Sequence, residues 1–337
     1  MMKKLCIYGL LLLFGCSAAW TQDTNRRDNM GKKQGFWMKK NAQGNIIYTG
    51  QFQDDKEYGL FTYYRNNGTI ERKAMFSQEG KRTETESYYP SGKIMAQGNY
   101  WNRKKDSTWV YYRENGRISF KENYKDGLKN GKWELYDQNG VLNEAFVYKD
   151  DKKNGEAFKN LYFVQIYYHL VDNVREGDYE EYYSNKQPRV KGKYTQGKED
   201  GTWIYYTASG VAIKKDVWSE GVLQSETLTL QTTKGQVNIP VEEVVIFTKT
   251  GAFATLVTTD GVVHRVENTA DELVDCLGSE DFLMVNDQQR SFCRYSCIKG
   301  LKGNMVETDP ATAVQIHADE EGIKAIRGTF RPDDLQP

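Results

Sequence analysis

The side chains able to make or break bonds in this 337-residue sequence are three histidines, five cysteines and a few adjacent carboxylates. His169, His264 and His317 lie far apart, without the partner pattern that metal sites and catalytic triads show. Cys293 and Cys297 lack the second pair that a zinc site needs. Glu180-Glu181 is the kind of pair that glycosidase chemistry draws on, but neighbours in a strand face opposite sides and read as solvated surface. The sequence holds no Gly-rich phosphate loop, nucleophile elbow or metalloprotease helix. We therefore expect a non-enzymatic protein, with no catalytic residue, no metal and no cofactor.

The aromatic residues carry the one constellation that suggests binding. Tyr64, Tyr88, Tyr112 and Tyr136 recur every 24 residues and are continued by Tyr182 and Tyr206. A stripe of rings on one face of a sheet can stack on sugars or on apolar groups of a protein. Packed from both sides, the same stripe is a second core layer.

The elements that position these tyrosines follow from the same period. Trp37, Phe61, Trp109 and Trp133 share one 24-residue ladder, with Thr85 and Ala157 on its other rungs. Gly44, Gly68, Gly92, Gly116 and Gly140 form another; Ile46, Ile70, Ile94, Ile118 and Leu142 a further one; and Phe52, Phe76, Tyr100, Tyr124 and Tyr148 the last. In one unit, Trp133 to Tyr136 reads as a strand, Asp137 to Gly140 as a turn, Val141 to Tyr148 as the returning strand and Asp150 to Asn154 as a polar connection. One hairpin buries too little to stand alone, so stacked neighbours must share a core, which the Trp and Ile ladders are expected to line. Between Gly155 and Glu176 the ladder slips: an apolar run from Leu161 to Val171 has no turn glycine, and a bend, a swollen loop and a partner site all remain open.

Gly131-Lys132-Trp133-Glu134-Leu135-Tyr136 with Asn139-Gly140 resembles the bacterial variant of the MORN repeat, and eight such units cover 31–223. The resemblance implies an all-β, elongated antiparallel hairpin array used for binding or scaffolding, in some members as an antitoxin component, and it brings no catalytic residue.

Lys3 and Lys4, an apolar run from Leu5 to Phe14 and small residues before Thr21 read as a signal peptide over 1–21. Leu13-Phe14-Gly15-Cys16 also looks like a lipobox, which would make Cys16 a lipid anchor. Both readings place the body outside the cytoplasm, in the periplasm or at the cell surface, with no membrane span in the mature form. Cys6 and Cys16 belong to this leader, leaving Cys276, Cys293 and Cys297. Cys293 and Cys297 in one strand would be about 13 Å apart, too far to bridge. A disulfide from Cys276 to one of them is expected, against three small buried side chains as the alternative.

Residues 224–337 lose the period and hold 10 Lys or Arg against 18 Asp or Glu, whereas the rest of the chain is basic. They read as a small β-rich domain with one helix from about Thr269 to Cys276. Ile239 to Val244, Asp260-Gly261, the helix and Phe282 to Asn286 resemble a LytTR-type domain. Met284 and Asp287 stand where that family is basic, and the negative charge opposes phosphate contact. No nucleic acid is expected. The partner expected is a protein or an envelope glycan. A toxin-neutralising complex and a carbohydrate hydrolase are the competing readings.

Overall fold

The computed structural model describes residues 24–277, 281–312 and 314–329; the expected leader, with Cys6 and Cys16, lies outside the described residues. The chain is mostly β and divides into two compact units, Met1–Gly116 and Arg117–Pro337.

In the first unit, strands Lys33–Lys40, Ile46–Gln53, Lys56–Tyr64, Ile70–Ser77, Arg82–Tyr88, Ile94–Trp101 and Lys104–Tyr112 form an antiparallel meander, each paired with the next. Turn chemistry explains the pairing. At one edge the turn runs from Asn41 to Gly44, from Arg65 to Gly68 and from Tyr89 to Gly92, with the glycine N–H closing on the carbonyl three residues back and only the glycine left-handed. At the other edge, two left-handed residues such as Asp54-Asp55 or Asn102-Arg103 join the strands directly.

Within the strands, a bulge seats the large ring. Tyr58 pairs with Gln51 and Thr62 with Thr49, so Gly59, Leu60 and Phe61 stand opposite Gly50 alone. Gly59 is left-handed at φ 69°, and the Phe61 ring lies across Gly50, where a Cβ would fall 2.3 Å from it. Ser107 to Trp109 repeat this against Gly98. The strand Arg82–Tyr88 has Thr83 in place of the bulge residue, small Thr85 in place of the ring and Ala74 in place of the cradle; its register is unbroken. In these three strands ring, bulge and cradle come and go together. Phe52, Phe61 and Ala74 form the buried centre, with Trp37, Tyr48, Tyr63 and Phe76 against it.

The second unit continues the same grammar. Its strands Ile118–Lys125, Leu128–Lys129 with Gly131–Tyr136, Leu142–Lys149, Lys152–Leu161, Val164–Val171, Val174–Tyr183, Pro188–Thr195, Lys198–Tyr206, Ala212–Ser219 and Val222–Thr232 pair in succession. The polar connection expected at Asp150 to Asn154 is shorter than that: Asp150 and Asp151 make the whole turn, and Lys152 and Lys153 already pair with Lys149 and Tyr148. The irregular sixth repeat is a regular hairpin. Gly131 pairs with Tyr148 and Gly177 with Tyr194, but Gly155 pairs with Leu170, two residues sooner, because Tyr162-Phe163 alone closes the turn. The slipped ladder is that shortened turn.

The ladders divide by depth. Trp109, Trp133 and Trp203 are buried, as expected of core residues. Ile46, Ile70, Ile118 and Leu142 are only half-buried and Ile94 is exposed, since they start the returning strand at the turn edge; the expectation that isoleucines line the interior is corrected.

Strand Val222–Thr232 runs across the boundary expected near 223 and pairs on its other side with Gly235–Pro240. Beyond it, strands Val244–Thr250, Phe253–Thr258 and Val263–Val266 precede a helix at Ala270–Leu277 (α1), where Thr269 and Glu272 cap each other reciprocally at 3.0 and 3.2 Å. Phe282–Asn286 pairs with Ser291–Arg294, Ile298–Lys302 pairs with Met305–Thr308, and a second helix, Glu320–Thr329 (α2), follows. Two cores result. Ile213, Leu228, Phe247 and Leu273 centre one; Val245, Val285, Cys293 and Ile326 centre the other.

The expected disulfide is not formed. Cys276 belongs to the first core while Cys293 and Cys297 lie in the second, and all three are buried. Burial, with Cys297 beside it, pushes the Cys293 thiol up to about 12, so it stays protonated and inert.

Candidate binding surface

The six tyrosines are all half-buried, and most of their hydroxyls are tied down. In the first unit, Tyr88 donates to Glu86 at 2.5 Å, Gln97 donates to Tyr112 at 2.9 Å, and the Tyr64 hydroxyl is 3.5 Å from that of Thr49. In the second, Tyr136 donates to Glu134 at 2.8 Å and Tyr182 to Glu180 at 2.7 Å.

Three of these sites share one design. A glutamate two residues before the tyrosine lies on the same face, and a lysine sits opposite that glutamate on the next strand: Lys73 with Glu86, Lys121 with Glu134 and Lys191 with Glu180. Each ammonium is 5.4–5.7 Å from the centre of the tyrosine ring, within cation–π range. Lys121 and Lys191 also pair with their glutamates at 3.3 and 2.9 Å. Hydrogen bonds from Lys191 and then Tyr182 hold the Glu180 carboxyl below its ordinary range, and Glu180 in turn raises Tyr182. Burial, then Glu86, raises Tyr88. The Tyr88 and Tyr182 hydroxyls therefore stay neutral, oriented donors. Within the second unit the Tyr136 and Tyr182 sites lie four strands apart, roughly 19 Å along the sheet.

Glu180 and Glu181 do face opposite ways. Glu181 takes the Tyr179 hydroxyl at 2.6 Å and the Arg189 guanidinium. The histidines are not brought together: His169 is exposed in its strand, His264 lies in Val263–Val266, and His317 Nδ1 is 3.1 Å from Asn304 Oδ1. Among the described residues no group of three or more His, Cys, Asp or Glu is placed to hold a metal ion.

Two features of the opposite face escaped the sequence reading. Four residues before four of the rings stands a cation: Lys33 lies 5.0 Å from the Trp37 ring, Lys105 4.8 Å from Trp109, Lys129 4.4 Å from Trp133 and Arg175 5.6 Å from Tyr179, whereas Phe61 and Trp203 have Glu57 and Glu199 there. Lys33, Lys105 and Lys129 lie on a 24-residue ladder of their own, four residues before that of the rings, which was the available signal. The other feature is a buried charge cluster. Lys214, 6% exposed, contacts Asp216 at 3.2 Å and Glu226 at 2.7 Å, with its ammonium 4.6 Å from the Tyr205 ring. Burial raises the Asp216 carboxyl against the pull of Lys214. Asp216 Oδ1 and the indole nitrogens of Trp203 and Trp218 are buried without a hydrogen-bond partner. Strand alternation placed Lys214 and Asp216 on one face, but nothing in the sequence distinguished them from exposed Lys215.

These repeats define an antiparallel β-hairpin repeat protein. The family model described as MORN repeat variant matches residues 83–102, 129–150 and 175–196. No curated protein matches the chain.

Proposed function

We propose that this is an exported, non-enzymatic binding or scaffolding protein of the bacterial envelope, whose tyrosine-bearing face engages a protein or a glycan. The observation that carries this is the recurring Glu–Tyr–Lys site. Ring, hydroxyl and flanking charges are fixed before any ligand arrives, which lowers the ordering cost of binding. The match to MORN repeat segments supports a repeat surface as the working part. Against hydrolysis, Glu180 is held ionised by its partners, and Asp216, the carboxyl raised by burial, is almost wholly buried. Among the described residues no helix is long and apolar enough to cross a membrane; on this reading the leader at 1–21 is removed, or Cys16 carries a lipid.

The test compares the wild type with a Tyr88→Ser, Tyr136→Ser, Tyr182→Ser variant in pull-down from envelope extracts and on glycan arrays. The expected result is a reproducible ligand that the variant binds at least tenfold more weakly. Equal binding removes the tyrosine face as the surface, and a tight stoichiometric protein complex selects the toxin-neutralising reading. Mass spectrometry of the secreted form should find an N-terminus near Gln22 or a modified Cys16; an intact leader on cytoplasmic protein would overturn export.

A further inference from the structure

We propose that copies of this chain associate head to tail, the aromatic hairpin tip of one entering an apolar cavity in the C-terminal part of the next. The tip is Tyr162-Phe163. Tyr162 is 98% exposed and Phe163 78%, beside Leu161 at 45% and Val141 at 50%. Tyr162 also holds φ 37°, in a region disfavoured for a bulky side chain, whereas the other two-residue turns place Asp, Asn, Arg, Gln, Glu or Gly there. Its own fold gains little from these rings, since none of the described residues covers them.

The cavity measures about 380 Å³, near the lower end of the roughly 300–1,000 Å³ typical of ligand pockets. That size suits one or two aromatic rings. Phe247, Phe282 and Phe292 form its floor, already engaged in ring–ring contacts at 4.8 and 5.2 Å, and Val274 of α1 and Met284 stand at its sides. A further ring in edge-to-face contact continues that packing.

Charge selects a second copy as the occupant. Arg290 lies at the mouth, held by Asp271 at 2.5 Å and Asp287 at 3.1 Å, and both carboxylates are mostly exposed. Residues 224–337 carry eight more acidic than basic side chains, while residues 22–223 carry six more basic than acidic ones. Lys186, which bonds Gln165 beside the tip at 2.6 Å, brings that excess to the hairpin. Unlike charge thus steers tip to cavity. Because tip and cavity are different surfaces, each docked copy leaves one of each free, and growth is open-ended unless a ring closes.

The test is sedimentation velocity of the purified protein over roughly 1 µM to 1 mM, the range of weak contacts. The weight-average mass should climb past twice the monomer. A Tyr162→Asn, Phe163→Gly variant and, separately, a Met284→Lys variant should both stay monomeric with unchanged melting; Val274→Glu replaces the latter if melting shifts. An equimolar mixture of the two kinds should form dimers and stop there, since one retains only the cavity and the other only the tip. A monomeric wild type, a variant that associates as the wild type does, or a mixture that stays monomeric each overturns the proposal. None of these outcomes depends on what the tyrosine face binds.

Discussion

At the scale of single residues, space and charge are decided by partners far apart in sequence. A Cβ on Gly98 would fall 2.2 Å from the Trp109 ring, so Gly98→Ala forces the indole off its seat. The expected cost is about 1–3 kcal/mol, as for other overpacked sites, read as a lower urea midpoint; an unchanged midpoint would show that the indole relaxes freely. Lys214→Met leaves Asp216 and Glu226 facing each other without their cation, and breaking such a buried pair costs roughly 3–5 kcal/mol at neutral pH. The pH dependence has a definite sign. Burial raises the folded Asp216 pKa above its ordinary 3.8, so ionisation opposes folding: stability is lost as pH rises from the unfolded value through the folded one. Without Lys214 to draw that pKa back down, the mutational loss should be larger at pH 7.5 than at pH 4.5. Equal losses in denaturant titrations at the two pH values would place the Asp216 charge outside the energetics.

At the scale of elements, the bulge is the device that makes a 24-residue repeat hold a large ring, and it depends on one backbone conformation. Gly59→Val puts a β-branched residue at φ 69° and should destabilise by about 1–2 kcal/mol, while Ser107→Gly, at φ 58°, should stabilise by a fraction of that. Opposite signs in thermal melts are the prediction; matching signs would mean the bulges relax. The glycine of the Gly-x-Trp motif was visible in the sequence, and so was the period, because turn and bulge both require particular residues. Less legible was the sixth hairpin: Tyr162-Phe163 has no turn chemistry, and only the two-residue slip between Gly155 and Gly177 betrays a shorter turn. The helix α1 announced itself through Thr269 and Glu272. The helix α2 did not, because Gly322 sits in its first turn; that glycine admits the Val285 carbonyl, 2.1 Å from where a Cβ would stand, while Asp319 caps its N–H at 2.8 Å. The Glu–Tyr–Lys sites were half legible. Tyrosine spacing was plain, but the lysine belongs to the neighbouring strand, and the cross-strand register that pairs it with the glutamate is a three-dimensional fact.

At the scale of the whole molecule, a change in sequence character need not be a break in structure. The period and the charge balance both shift near residue 223, yet Val222–Thr232 is one strand whose first half completes the last repeat and whose second half enters the C-terminal core. Leu228 packs with Ile213 in that core, and Glu226 takes the Lys214 ammonium. The last repeat therefore lacks a cover of its own, as expected of a terminal unit whose neighbour supplies the missing face. A fragment ending at residue 223 should keep its upstream hairpins but open the strand Ala212–Ser219. Trypsin is then expected to cut rapidly at Lys214 and Lys215 in the fragment and slowly in the intact chain, because cleavage follows the population of the open form. Equal cleavage rates would mean that the repeats end as an independent body and that the strand beyond them merely passes by.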